Sequence, residues 1–134
     1  MPRTVLTVPT RQRVQLLDVT RAVQEALDAT GVREGTCTVF APHTTAAVTV
    51  NENADPDVVH DLALGLADIV KDLAGFRHAE GNSSAHLKSS LVGCSVTVPV
   101  EGGRLQLGTW QSVFFCEFDG PRTRSLWVTA TGDK

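Results

Sequence analysis

The chain has 134 residues, 42% of them hydrophobic and 20% charged, with a net charge of −3. That composition describes one globular domain with one core, and it argues against disorder and against a broad basic surface for nucleic acid. No apolar run approaches the length of a membrane span, and Met1-Pro2-Arg3-Thr4 leads into no signal-peptide-like apolar region.

Residues 3–8 and 11–17 alternate well enough to predict two strands, with a turn at Pro9-Thr10. Asp18 or Thr20 can cap a helix that runs to Thr30 and stops at Gly31. A strand follows from Gly35 to Ala41, with Cys37, Val39 and Ala41 on one face, and Pro42-His43-Thr44 interrupts it. Thr45 to Val50 resumes as a strand rich in Thr and Val. Asp55 is placed as the N-cap of the next helix and Pro56 suits its first position, where a missing N–H costs nothing. That helix is predicted to run to about Ala74, with Val59, Leu62, Leu66, Ile69 and Leu73 as its buried stripe. His60, beside Asp57 and Asp61, is a solvated or paired helix residue.

A polar loop, His78-Ala79-Glu80-Gly81-Asn82-Ser83-Ser84-Ala85-His86, separates the most helical part of the chain from the most strand-like. Two alanines are its only apolar side chains, so it cannot be core strand, and loops on a rigid scaffold are where binding and catalytic groups usually lie. Residues 86–91 can make a short helix capped by Ser83 or Ser84 and ended by Gly93. Residues 94–100 alternate as a strand, Glu101-Gly102-Gly103 is a hairpin turn, and Arg104 to Leu107 returns. Ser112 to Phe118 and Ser125 to Thr131 are the last strands. The short connections near the end leave no room for parallel crossovers, so the fold class is α+β. A largely antiparallel sheet carries two or three helices.

Five stretches can carry chemistry. His43 follows a proline at a strand interruption, and His78 and His86 sit in the polar loop. Three imidazoles with Glu80 would suit a divalent ion, zinc before magnesium or calcium, although the eight-residue spacing is not that of a helical zinc site. Glu117 is the one carboxylate in Val113-Phe114-Phe115-Cys116-Glu117-Phe118, a segment apolar on both faces, so it needs a cation, a metal or donors. Arg104, Arg122 and Arg124 are its candidate protein partners. Asp119-Gly120-Pro121 makes a sharp turn and presents Arg122 and Arg124, whose planar forks suit phosphate, with Lys88 and Arg104 adding charge. Trp110, with Gln111 beside it, follows a Gly-Thr turn and can stack on a flat ring. Each has a plainer alternative: a solvated loop, a structural ion pair, or a core or interface tryptophan. Cys37, Cys94 and Cys116 form no C-x-x-C pair and read as reduced thiols of a cytoplasmic protein.

Taken together these stretches resemble the YjbQ-like proteins, also called the secondary thiamine-phosphate synthase family. The resemblance is carried by His43-Thr44-Thr45-Ala46, by residues 51–57, by the polar loop with Leu87-Lys88, by residues 103–111 and by Cys116-Glu117-Phe118-Asp119-Gly120-Pro121-Arg122-Thr123-Arg124. It implies a compact α+β sandwich assembling as a homotrimer, with polar residues near the subunit contacts and a metal ion among them. The activity it implies joins a pyrimidine diphosphate to a thiazole phosphate and releases pyrophosphate. On that reading Glu117, Glu80 and Asn82 are catalytic candidates. Lys88, Arg104, Trp110, Gln111, Arg122 and Arg124 hold substrate, and His43, His78 and His86 hold the metal. A non-catalytic trimeric module for a small anionic metabolite or an ion is the alternative, and metal-assisted hydrolysis would use the same ligands. Because residues 112–118 are apolar on both faces, Val113 and Phe115 are expected to need cover from a second copy. The Arg122–Arg124 segment of one subunit would then meet the histidine loop of the next.

Overall fold

The computed structural model describes residues 2–134. Eight strands and three helices follow in the order β1 (Thr4–Pro9), β2 (Gln15–Asp18), α1 (Thr20–Thr30), β3 (Glu34–Phe40), β4 (Ala46–Glu52), α2 (Pro56–Ile69), α3 (Ser83–Val92), β5 (Ser95–Glu101), β6 (Arg104–Leu105), β7 (Gln111–Glu117) and β8 (Thr123–Asp133). They form a five-stranded sheet, β1-β8-β3-β5-β6, and a three-stranded sheet, β2-β7-β4. Every pairing is antiparallel, so the α+β class is as the pattern predicts and the two packed sheets are as the family resemblance implies. No helix of the described residues is long and apolar enough to cross a membrane.

The main core lies between the sheets and under α1: Val39 and Leu126 from the larger sheet meet Val48, Val113 and Phe115 from the smaller, with Val23 and Leu27 of α1 beside them. A second cluster, Ala47, Phe114, Cys116 and Phe118, covers the other face of the small sheet. Ala85 of α3 and the half-buried Val59, Leu66 and Val92 close it. β7 is therefore buried on both faces, as its sequence requires. The cover comes from the chain itself, however: Val113 and Phe115 are 0% exposed. The expectation that they need a second copy is corrected, because the larger sheet already faces them.

Local signals explain most boundaries. Gly31 stops α1 in the left-handed region, φ 76°, where a side chain would be strained. The Asp55 carboxylate accepts the Asp57 N–H at 2.9 Å and Pro56 opens α2. Two helix boundaries differ from prediction. α2 ends at Ile69, about a turn early, because the β-branched pair Ile69-Val70 holds helix weakly. Val70 instead turns extended and buries its side chain to 8% exposure. α3 starts at Ser83, not at residue 86, with Asn82 in the cap position. β1 and β2 do not pair with each other; Pro9-Thr10 carries the chain from one sheet to the other.

Candidate functional site

The polar stretches meet at one end of the sandwich. A cavity of about 450 Å³ is lined by His43, Thr44 and Thr45 from the β3–β4 connection, His78, Glu80, Asn82 and His86 from the polar loop and the start of α3, and Arg122 and Arg124 after the β7–β8 turn. A volume of that order suits a small-molecule ligand. Seven predicted site residues thus share one cavity, and they do so within one chain. The arginine segment and the histidine loop meet without a neighbouring subunit, which corrects the expected placement.

Beneath the cavity Glu117 is 0% exposed and Arg124 is 6% exposed. Arg124 Nε donates to Glu117 Oε1 at 2.8 Å, and its Nη2 donates to Glu117 Oε2 and to Thr45 Oγ1. The Thr10 hydroxyl donates to Glu117 Oε1 at 2.8 Å and accepts the Arg122 N–H at 2.8 Å. Burial pushes the Glu117 carboxyl up, but the Arg124 hydrogen bonds, the Asp119 N–H and the Thr10 hydroxyl outweigh it and hold the group below the usual carboxylate range. Gly120 lies in this tight turn; a Cβ there would stand 2.2 Å from the Gln12 carbonyl oxygen, so no larger residue fits.

Arg122 is the half-exposed arginine. Its Nη2 donates to Asp119 Oδ2 at 3.1 Å and its Nε to the Asp119 carbonyl at 2.8 Å. Asn82 Nδ2 donates to the same Asp119 oxygen at 2.8 Å. Burial raises the Asp119 carboxyl, and the Asn82 and Arg122 hydrogen bonds, with the charges of Arg122 and Arg13, bring it below its ordinary value. Two arginines thus face three carboxylates, counting the exposed Glu80. Each arginine is already matched, and the cavity is not a cationic phosphate cradle.

The predicted metal set does not assemble as such. The His78 and His86 rings meet edge to face at 5.4 Å between centres. Among the described residues no three His, Cys, Asp or Glu side chains stand close enough to share an ion. His43 makes its contact elsewhere, with the Ser125 peptide at 3.0 Å. Two imidazoles and an excess of carboxylate suit a cation, but further ligands are needed.

Four predicted residues lie away from the cavity. Lys88 is 7% exposed on α3 with its ammonium 5.9 Å from the centre of the Phe118 ring, and burial lowers its pKa. Arg104 is exposed on β6, Trp110 is 63% exposed, and Gln111 accepts the Gly108 N–H at 2.8 Å. His60 pairs with Asp61 on the solvent side of α2. Sequence reasoning missed Thr10, Thr45 and Asp119. The first two are hydroxyls in a turn and beside a strand, too common to single out; Asp119 read as a turn former and is also the carboxylate that orients Asn82 and Arg122.

Comparison with known proteins agrees along the whole chain. Residues 4–133 match the family model described as UPF0047 protein YjbQ-like. UPF0047 protein YugU of Bacillus subtilis is 48% identical over 128 residues, 95% of this chain and 97% of that protein. UPF0047 protein MJ1081 of Methanocaldococcus jannaschii is 47% identical over 127 residues, 95% and 92% respectively. Among solved structures, an uncharacterized YjbQ/UPF0047 protein from Clostridium acetobutylicum superposes with a TM-score of 0.92 at 44% identity, covering 96% of this chain and 99% of that one. Hypothetical protein APE1520 from Aeropyrum pernix gives 0.92 at 41% identity, covering 99% and 100%. On these matches, the chain belongs to the YjbQ-like, UPF0047 family.

Proposed function

We propose that the cavity is the site of a transferase acting on small phosphorylated heterocycles, of the thiamine-phosphate synthase type. The observation that supports this reading is the convergence of His78, Glu80, Asn82, His86 and Arg122 from distant stretches on one small-molecule-sized space. In such a transfer the lone pair of the thiazole ring nitrogen forms a bond to the pyrimidine's methylene carbon as that carbon's bond to the diphosphate oxygen breaks, and pyrophosphate leaves with the electron pair of the broken bond. Arg122 keeps half of its side chain exposed and is the arginine able to reach leaving-group oxygens. Arg124 holds Glu117 and shapes the floor. Glu80 and the two loop histidines are the groups free to move a proton. Asn82 acts as a positioning residue through Asp119.

A divalent ion, zinc first and magnesium or calcium otherwise, would find His78 and His86 here, with its other ligands drawn from substrate. Bound there, it would supply the positive charge that diphosphate requires and that the paired arginines do not. We further propose that the protein is a cytoplasmic homotrimer.

The second reading is a non-catalytic module for a small anionic metabolite or an ion, and the excess of carboxylate over unpaired positive charge favours the ion. The two are separated by incubating purified protein with a pyrimidine diphosphate and a thiazole phosphate, with and without chelator, beside His86→Ala. The transferase reading expects pyrophosphate release that falls at least tenfold in the variant. Binding without release in every arm would leave the module.

A further inference from the structure

β3 and β8 pair in register up to Phe40 opposite Trp127. Continued two residues further, that ladder would set Pro42 opposite Ser125, and proline has no N–H to give. The ladder ends there, and the Ser125 N–H and C=O are left facing the gap. The imidazole of His43 fills it: the Ser125 N–H points at Nε2, 3.0 Å away, and the Ser125 carbonyl oxygen is also 3.0 Å from that nitrogen.

A peptide N–H can only donate, so Nε2 must offer it a lone pair, and in the neutral ring the proton then sits on Nδ1. The opposite tautomer would set N–H against N–H and orphan the Ser125 donor. An under-satisfied carbonyl is the commoner and milder defect than an orphaned N–H. The Phe115 ring lies nearly perpendicular to the imidazole, at 83° and 6.3 Å between centres. Burial also pushes the imidazole below its ordinary value, which keeps the ring neutral. Among the described residues Nδ1 has no hydrogen-bond partner, and it is not sealed in, because Asn82 Oδ1 is the buried polar atom there without one.

We infer that His43 is a fixed hydrogen-bond donor to the occupant of the cavity: Nε2 is committed to the Ser125 peptide, and Nδ1–H binds an oxygen acceptor such as phosphate or pyrophosphate. His43 is then a ligand-binding residue and not a metal ligand, since neither nitrogen has a lone pair free. The ligand half of this inference rests on the cavity being the functional site; the tautomer does not.

The test is long-range proton–nitrogen NMR of the full chain carrying ¹⁵N-histidine. The four histidines are assigned with His60→Gln, His78→Gln and His86→Gln, which leave His43 in place. His43 is expected to show protonated Nδ1 and unprotonated Nε2 near neutral pH. Zinc added alone should shift His78 and His86 and leave His43 unmoved, and pyrophosphate or inorganic phosphate should shift the His43 Nδ1–H resonance. An Nε2–H tautomer, or a His43 shift in step with the loop histidines on adding zinc, overturns the inference. A correct tautomer with no response to either anion overturns the donor role. Failure of the transferase reading shows separately, as absent pyrophosphate release with the NMR result intact.

Discussion

Glu117 on β7 and Arg124 on β8 pair across the two sheets, seven residues apart in the chain and with their side chains buried between the layers. The turn that joins them, Asp119-Gly120-Pro121, also carries Arg122 to the cavity wall. One ion pair therefore fixes the sandwich and the floor of the candidate site together. Any change to it acts on folding first and on the site second.

Glu117→Gln leaves the Arg124 guanidinium buried without a counter-charge. Breaking such a pair at one partner costs about 3–5 kcal/mol. Urea unfolding should show the midpoint falling accordingly. Because replacing both members of a buried pair by apolar groups is often near neutral, Glu117→Leu combined with Arg124→Met should recover most of the loss. A single variant as stable as wild type would mean that the pair carries no stability.

Acid should expose the same group. The folded-state value of Glu117 lies below its ordinary 4.5, so it binds fewer protons than the unfolded chain does. Its contribution is complete above that ordinary value and is lost as pH falls from there through the lowered folded value. Asp119 adds in the same direction, below its ordinary 3.8. Wild-type stability should therefore fall steeply below about pH 4.5, and Glu117→Gln should show a flatter acid limb. Parallel limbs would remove Glu117 as the source.

The fold was legible because its determinants are short-range. Alternation marked the strands, Asp55-Pro56 opened α2, and Gly31 closed α1. The double burial of β7 was readable from Val113 to Phe118, but what covers it was not, since that depends on β8 and α1 folding over from distant sequence. The site was legible as a list and not as a geometry. Arg122 and Arg124 read alike, two residues apart; one proves half-exposed and the other buried, because only Arg124 lies opposite Glu117. His43 read like the loop histidines, and only the end of the β3–β8 ladder separates it from them.

The thiols divide by environment. Burial raises Cys37 to about 11 and Cys116 to about 12, and both lie in apolar clusters. Cys94, the first residue of the strand predicted over 94–100, stands just before β5 and is exposed. A disulfide reagent near neutral pH should modify one thiol of the folded protein quickly and all three after unfolding, since the thiolate is the reactive form. Fast reaction of two or three in the folded state would contradict the burial.

The last expectation concerns assembly, and its basis moves from β7 to α2. Val113 and Phe115 are already covered, but α2 has no buried residue although eight of its fourteen residues are Val, Leu, Ile or Ala. Val59 and Leu66 rest partly on the second cluster. Leu64 at 61% and Ile69 at 74% exposure point elsewhere, and Leu73, Leu87 and Leu91 are also exposed on or near the same helical layer. Large apolar side chains gathered on one layer are the mark of an association surface. A second copy of the chain is the proposed occupant, and closed cyclic symmetry brings three copies together. Light scattering should give three times 14.3 kDa. Leu64→Glu with Ile69→Glu should lower that mass toward one chain while leaving secondary structure intact, because neither side chain is part of the core. A wild-type monomer at micromolar concentration would sink the assembly, and an unchanged mass in the double variant would place the contact elsewhere.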